Sequence, residues 1–165
     1  MNLVLIGISG AGKGTQAELL ASKYNLKHIS TGELFRREYE AKSPEGISAY
    51  EYWSKGNWVP DEVTFALLKL HLDGAKNGFV LDGYPRTIVQ CQILGDYLLS
   101  KQQKVDFVIY LKVSQEEAIK RLKIRAEIDK KNQGKSREDE TEEIIKKRFI
   151  SFQTSIAPVL DFYQK

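Results

Sequence analysis

The chain has 165 residues, 42% hydrophobic and 28% charged, and its 25 basic and 22 acidic side chains leave a net charge of +3. That length suits one domain with a real core, the composition excludes a disordered or fibrous chain, and the charge balance gives no support to a nucleic-acid or membrane partner. No stretch approaches the ~18 apolar residues of a membrane span, the apolar start Met1 to Gly7 lacks the basic opening of a signal peptide, and a lone cysteine, Cys91, forbids an intrachain disulfide framework or multi-cysteine zinc site and suits a reducing cytoplasm.

Along the chain, short apolar runs alternate with longer amphipathic segments. Leu3 to Ile6 predicts a first strand, ending at Gly7. A glycine-rich stretch follows, and then Gly14 to Tyr24 reads as a helix. Leu26 to Ser30 is a weaker strand signal. Ser30 and Glu33 have capping-box spacing before Leu34 and Phe35, and Pro44 and Pro60 each suit a first helical turn with acids behind them. Phe79 to Leu81 predicts a strand ending at Asp82, and Val105 to Leu111 another. Ser114 and Glu117 open a helix expected to run through Arg125, and residues 138–163 read as a long final helix. The apolar runs lack polar alternation, as in strands buried on both faces, so the pattern predicts an α/β fold with a mainly parallel sheet. Ligands of such a sheet lie beyond the carboxyl ends of its strands. Two stretches break the rhythm: residues 31–59, helical without a matching strand, and residues 126–136, polar with Gly134 near the end. Both are read as mobile inserts.

The first strand runs into Gly7-Ile8-Ser9-Gly10-Ala11-Gly12-Lys13-Gly14-Thr15, with the spacing G-x-x-x-x-G-K. Glycines let backbone N–H groups wrap closely around phosphates, the helix N-terminus adds positive charge, and Lys13 reaches the terminal phosphates. The plain motif has Ser or Thr directly after the lysine; here Gly14 intervenes and Thr15 comes one later. The bland alternative is a glycine-rich turn beside an exposed lysine.

Taken with Gly12-Lys13-Gly14-Thr15-Gln16, the sequence resembles an adenylate kinase. The likeness continues through His28 to Glu33 with Arg36, then Gly56 and Val59-Pro60-Asp61-Glu62. It returns at Asp82-Gly83-Tyr84-Pro85-Arg86-Thr87 with Gln90, and ends with Arg121, Arg125, Arg137 and Arg148. The shifted threonine is the family's own form of the loop. The resemblance implies a P-loop three-layer fold with a central parallel sheet. It divides the chain into a core of residues 1–30, 60–125 and 137–165, a small helical AMP-binding insert at 31–59 and a short lid at 126–136. It implies reversible phosphoryl transfer from ATP to AMP giving two ADP, with Mg²⁺, in the cytoplasm and as a monomer, and no nucleic-acid or membrane partner.

The same resemblance distributes the roles. Gly10, Ala11, Gly12, Lys13, Gly14 and Thr15 would hold the ATP phosphates, with Arg121 toward the adenine and Arg125 on the phosphates. Thr31, Arg36, Asn57, Trp58, Val59, Gly83, Tyr84, Pro85, Arg86 and Gln90 would hold AMP, joined by Arg137 and Arg148. Lys13, Arg86, Arg125, Arg137 and Arg148 form the catalytic cage, as phosphoryl transfer needs in-line positioning and neutralised charge rather than a general base. The family suggests a cis bond before Pro85. Asp82 with Thr15 would organise Mg²⁺ through water; a turn cap is the other reading of Asp82. Without the family, Arg36 reads as a solvated helix arginine, Gln90 as a surface residue, and the stretch around Arg148 as a face of i,i+4 ion pairs. His28, His71 and Cys91 are read as structural, and Trp53 and Trp58 as packing of the insert.

Ser9, Glu33 and Tyr84 stand where the family usually has Pro, Asp and Phe. Eleven lid residues and one cysteine leave no place for the zinc site of long-lid relatives. The sequence stops at Lys165, before the fifth strand and last helix expected of the family, which implies weakened ATP binding and an exposed sheet edge prone to self-association. A kinase for UMP or CMP is one alternative, argued against by Thr31, Thr87 and Gln90; a nucleotide-binding fragment without turnover is the other.

Overall fold

The computed structural model describes residues 1–133 and 141–164. Four parallel strands, β1 (Asn2–Ile6), β2 (Lys27–Ser30), β3 (Phe79–Asp82) and β4 (Phe107–Tyr110), form one sheet in the order β2-β3-β1-β4. Among the described residues seven helices accompany them: α1 (Lys13–Tyr24), α2 (Thr31–Glu40), α3 (Pro44–Trp53), α4 (Asp61–Asp73), α5 (Ile88–Ser100), α6 (Gln115–Gln133) and α7 (Glu142–Gln164). No helix among the described residues is long and apolar enough to cross a membrane.

Strand alternation divides the core between two faces. Leu3 and Leu5 of β1 and Val80 of β3 pack on Ala17, Leu20 and Ala21 of α1. Val4, Ile6, Ile29, Phe79 and Leu81 point the other way, onto Leu68 and Leu72 of α4, Cys91, Leu94 and Leu98 of α5 and Val159 of α7. The result is helix, sheet and helices in three layers. A separate cluster of Phe35, Ala49, Trp53, Val59 and Leu67 packs α2 and α3 on α4, under edge-on contacts of Trp53 with Tyr39 and Tyr50. β1 is buried at every position, as an uninterrupted apolar run requires, but β4 is not: it lies outermost, and Phe107 is 62% exposed.

Several boundaries differ from expectation. α6 does not stop at Arg125 but continues to Gln133, so residues 126–133 of the expected lid are helical. Their Ala, Glu and Lys are good helix formers, and their polarity marks exposure rather than a loop. The last helix begins at Glu142 rather than 138, with Thr141 Oγ1 accepting from the Ile144 N–H at 3.4 Å. Arg137, Gly134 and the rest of 134–140 lie outside the described residues. Ser114 does accept from the Glu117 N–H, at 3.2 Å, but Ser30 makes no side-chain cap. Ser30 is still paired in β2, opposite Asp82, so the chain passes from strand to helix without a capping turn. Pro44 is at the head of α3, whereas Pro60 is the residue before α4.

Candidate active site

The loop between β1 and α1 meets α6 closely. Gly10 has φ +84°, and a Cβ there would lie 2.5 Å from the Ala118 carbonyl oxygen, so only glycine fits. The Arg121 guanidinium of α6 reaches the Ala11 carbonyl at 3.5 Å and pairs with Glu117 at 2.8 Å. Lys13 Nζ donates to the Gly7 and Ile8 carbonyls at 2.9 and 3.1 Å and stands 4.0 Å from Asp82 Oδ1. Burial is the main force lowering its pKa, to about 8; Asp82 opposes the shift, while Arg86, Arg125 and Arg148 add to it. Arg86 is likewise lowered to about 10, by burial and then by Arg148. This crowding of like charge is what an arriving polyphosphate would relieve.

These residues line a large open cleft of about 820 Å³ beyond the strand ends. Gly10, Ala11, Gly12, Lys13, Gly14, Thr15, Arg36, Asp82, Gly83, Arg86, Arg121, Arg125 and Arg148 all border it. A smaller pocket opens beside it, lined by Thr31, Arg36, Asn57, Trp58, Val59, Gly83, Arg86, Gln90 and Arg148. Arg36, Arg86 and Arg148 border both. Three arginines therefore stand where the two hollows meet, delivered by α2, by the turn after β3 and by α7. Arg148 rests there with its guanidinium donating to the Trp53 carbonyl at 3.3 Å.

Two expected contacts lie elsewhere. The Tyr84 side chain is 1% exposed and borders neither hollow; its hydroxyl donates to the Gln90 carbonyl at 3.2 Å, and burial raises its pKa. Pro85, joined to Tyr84 by a cis bond, lines a third hollow with Ser9, Lys13 and Phe152. Sequence reasoning passed over Phe35 and Thr64 in the smaller pocket, and Ile124 and Ile128 at the cleft; Trp53, read as packing of the insert, packs there and also lines the smaller pocket. The two isoleucines carried a usable signal, being four apart on an otherwise polar segment and half exposed. His28, His71 and Cys91 border neither hollow; Cys91 is buried in the core, with its thiol pushed up to about 11 by burial.

Asp82 and Thr15 offer hard oxygen donors at the cleft beside Lys13. Among the described residues no three His, Cys, Asp or Glu side chains gather as a protein cage for a metal. That donor set fits a magnesium ion held mainly by phosphate and water.

A family model described as adenylate kinase matches residues 5–165. A curated adenylate kinase of Mycobacterium sp. (strain MCS) is 43% identical over 166 positions, covering 99% of this chain and 86% of the relative. One of Thermobifida fusca (strain YX) is 41% identical, over 100% of this chain and 85% of the relative. One of Clostridium perfringens (strain SM101 / Type A) is 35% identical over 187 positions, with 99% and 87% covered.

Proposed function

The chain belongs to the adenylate kinase family, and from that premise we propose that its site performs reversible phosphoryl transfer from ATP to AMP, giving two ADP. The observation that carries the reading is the shared border: a phosphate loop opens on one hollow, an aromatic-lined pocket on the other, and Arg36, Arg86 and Arg148 stand at the junction. Two anionic substrates entering from opposite sides bring their phosphates together there.

Lys13 and the loop from Gly10 to Thr15 hold the ATP phosphates, with Arg121 and Arg125 along the outer cleft. Arg36 and Arg86 hold the AMP phosphate, and Thr31, Asn57, Trp58, Val59 and Gln90 frame its base. Arg148 spans the gap and neutralises charge on the group in transit, joined by Arg137 just after the lid at 126–136. Asp82 and Thr15 would hold Mg²⁺, which when bound would supply further charge neutralisation. The attacking AMP oxygen is already anionic, so no side chain need remove a proton. The enzyme is a cytoplasmic monomer on this reading, in keeping with its single cysteine.

The test mixes the protein with ATP, Mg²⁺ and one monophosphate at a time and follows ADP by phosphorus NMR. AMP-dependent ADP formation, much faster than with UMP or CMP, is the expected result. Binding of ATP without ADP from any acceptor would make the chain a binding module instead.

A further inference from the structure

Gln90 is 3% exposed, and its carboxamide is held at both ends. The Arg86 backbone N–H donates to Oε1 at 2.7 Å, and Nε2 donates to Asp61 Oδ1 at 2.7 Å. A backbone N–H only donates and a carboxylate only accepts, so this pair of partners permits one orientation of the amide and excludes the flipped one. The rest of the residue is held too: the Gln90 N–H donates to Thr87 Oγ1 at 3.1 Å, and the Tyr84 hydroxyl donates to the Gln90 carbonyl at 3.2 Å. One amide N–H and one oxygen lone pair remain, and Gln90 lines the smaller pocket. Asp61 does not; it stands behind Gln90 on the first turn of α4.

We propose that Asp61 is a positioning residue that, with the Arg86 N–H, fixes the polarity of Gln90 and thereby sets a preference for 6-amino over 6-oxo purine monophosphates. The proposal rests on reading the smaller pocket as the AMP site. Adenine presents an amino donor beside ring-nitrogen acceptors, whereas a 6-oxo purine such as hypoxanthine presents an oxygen acceptor beside an N1–H donor. A base whose phosphate is anchored on Arg36 and Arg86 offers its edge in one sense. A freely flipping carboxamide would answer either pattern; a locked one answers only one. The mismatched base would leave like groups facing each other, donor on donor and acceptor on acceptor, which a site built on hydrogen bonds rejects strongly. The anchor is a carboxylate, and hydrogen bonds to charged groups are the stronger kind, so its removal should be measurable.

The experiment compares AMP with IMP as acceptors at saturating ATP, in the wild type, Asp61→Ala and Asp61→Asn. In Asp61→Ala the AMP-over-IMP ratio of kcat/KM should fall about tenfold, through a raised KM for AMP, as expected for losing one charge-assisted bond. The KM for ATP should stay put. Asp61→Asn keeps an oxygen that can accept from Nε2 and should restore most of the ratio. In a Gln90→Ala background Asp61→Ala should leave the ratio unchanged, because the two residues act as one unit. Should Asp61→Ala not fold, Asp61→Ser takes its place: it suits a first helical turn but is too short to reach Gln90, and must show the same loss. An unaltered ratio in the short variants, no recovery in Asp61→Asn, or an equal loss without Gln90 would each overturn the proposal. Failure of the AMP reading looks different, as the wild type itself would form no ADP. The AMP and IMP affinities would then be read from tryptophan fluorescence at Trp53 and Trp58, and the same comparisons would decide Asp61.

Discussion

Arg148 borders all three of these hollows, with its guanidinium donating to the Trp53 carbonyl, so its value lies in what arrives between them. Losing its bond to the Trp53 carbonyl costs about 1 kcal/mol, a shift of a few degrees in melting temperature. The loss of an arginine at a transferring phosphoryl group is far larger, on the order of 10³ in rate. Arg148→Ala should therefore lower kcat by that order while a thermal melt shifts little. Near-normal turnover would remove Arg148 from the catalytic set. Lys13 offers the contrasting case, since its ammonium also serves the Gly7 and Ile8 carbonyls and its loss would confound structure with chemistry.

At the scale of elements, α5 shows how a local cap serves a distant substrate. Thr87 accepts from the Gln90 N–H at 3.1 Å, satisfying the first turn of the helix that carries Gln90. Thr87→Ala should cost about 1 kcal/mol, the usual worth of such a cap, seen as a lower denaturant midpoint. It should also raise the KM for AMP but not for ATP; equal movement of both would mean a general loosening. The strands, the phosphate loop and the Ser114 cap were legible in the sequence because each is written in contiguous residues: an apolar run, glycines at fixed spacing, a serine three before a glutamate. The continuation of α6 past Arg125 was not, because polarity was read as a loop where helix propensity decides. The Ser30 cap misled because β2 extends to that residue and leaves no turn to cap. Gln90 was singled out only through the family's motifs, and its lock on Asp61 was hidden altogether, since the partners are 29 positions apart and meet only once α4 packs beside α5.

Across the whole molecule, the segment from 31 to 59 meets α7 at two adjoining places. The Trp53 carbonyl receives Arg148, and Gly56 lies against Ile144. Gly56 has φ +73°, and a Cβ there would stand 3.1 Å from Ile144 Cγ2 and 3.3 Å from the Ile144 carbonyl oxygen. Alanine would thus be strained in its backbone by about 1–2 kcal/mol, and would also push the insert away from α7. Because Arg148 is one helical turn beyond Ile144, the displacement acts on the junction between the two hollows and not on the phosphate loop. Gly56→Ala should lower the melting temperature, raise the KM for AMP and reduce kcat, with the KM for ATP unchanged. Adding Ile144→Ala separates the two causes. Removing the side chain opens room for the new methyl group, so the kinetic defects should recede while the backbone strain, and the part of the stability loss it causes, persists. If the double variant regains nothing in kcat or in the KM for AMP, the seating of the insert on α7 does not govern the site, and Gly56 matters only for the turn it permits.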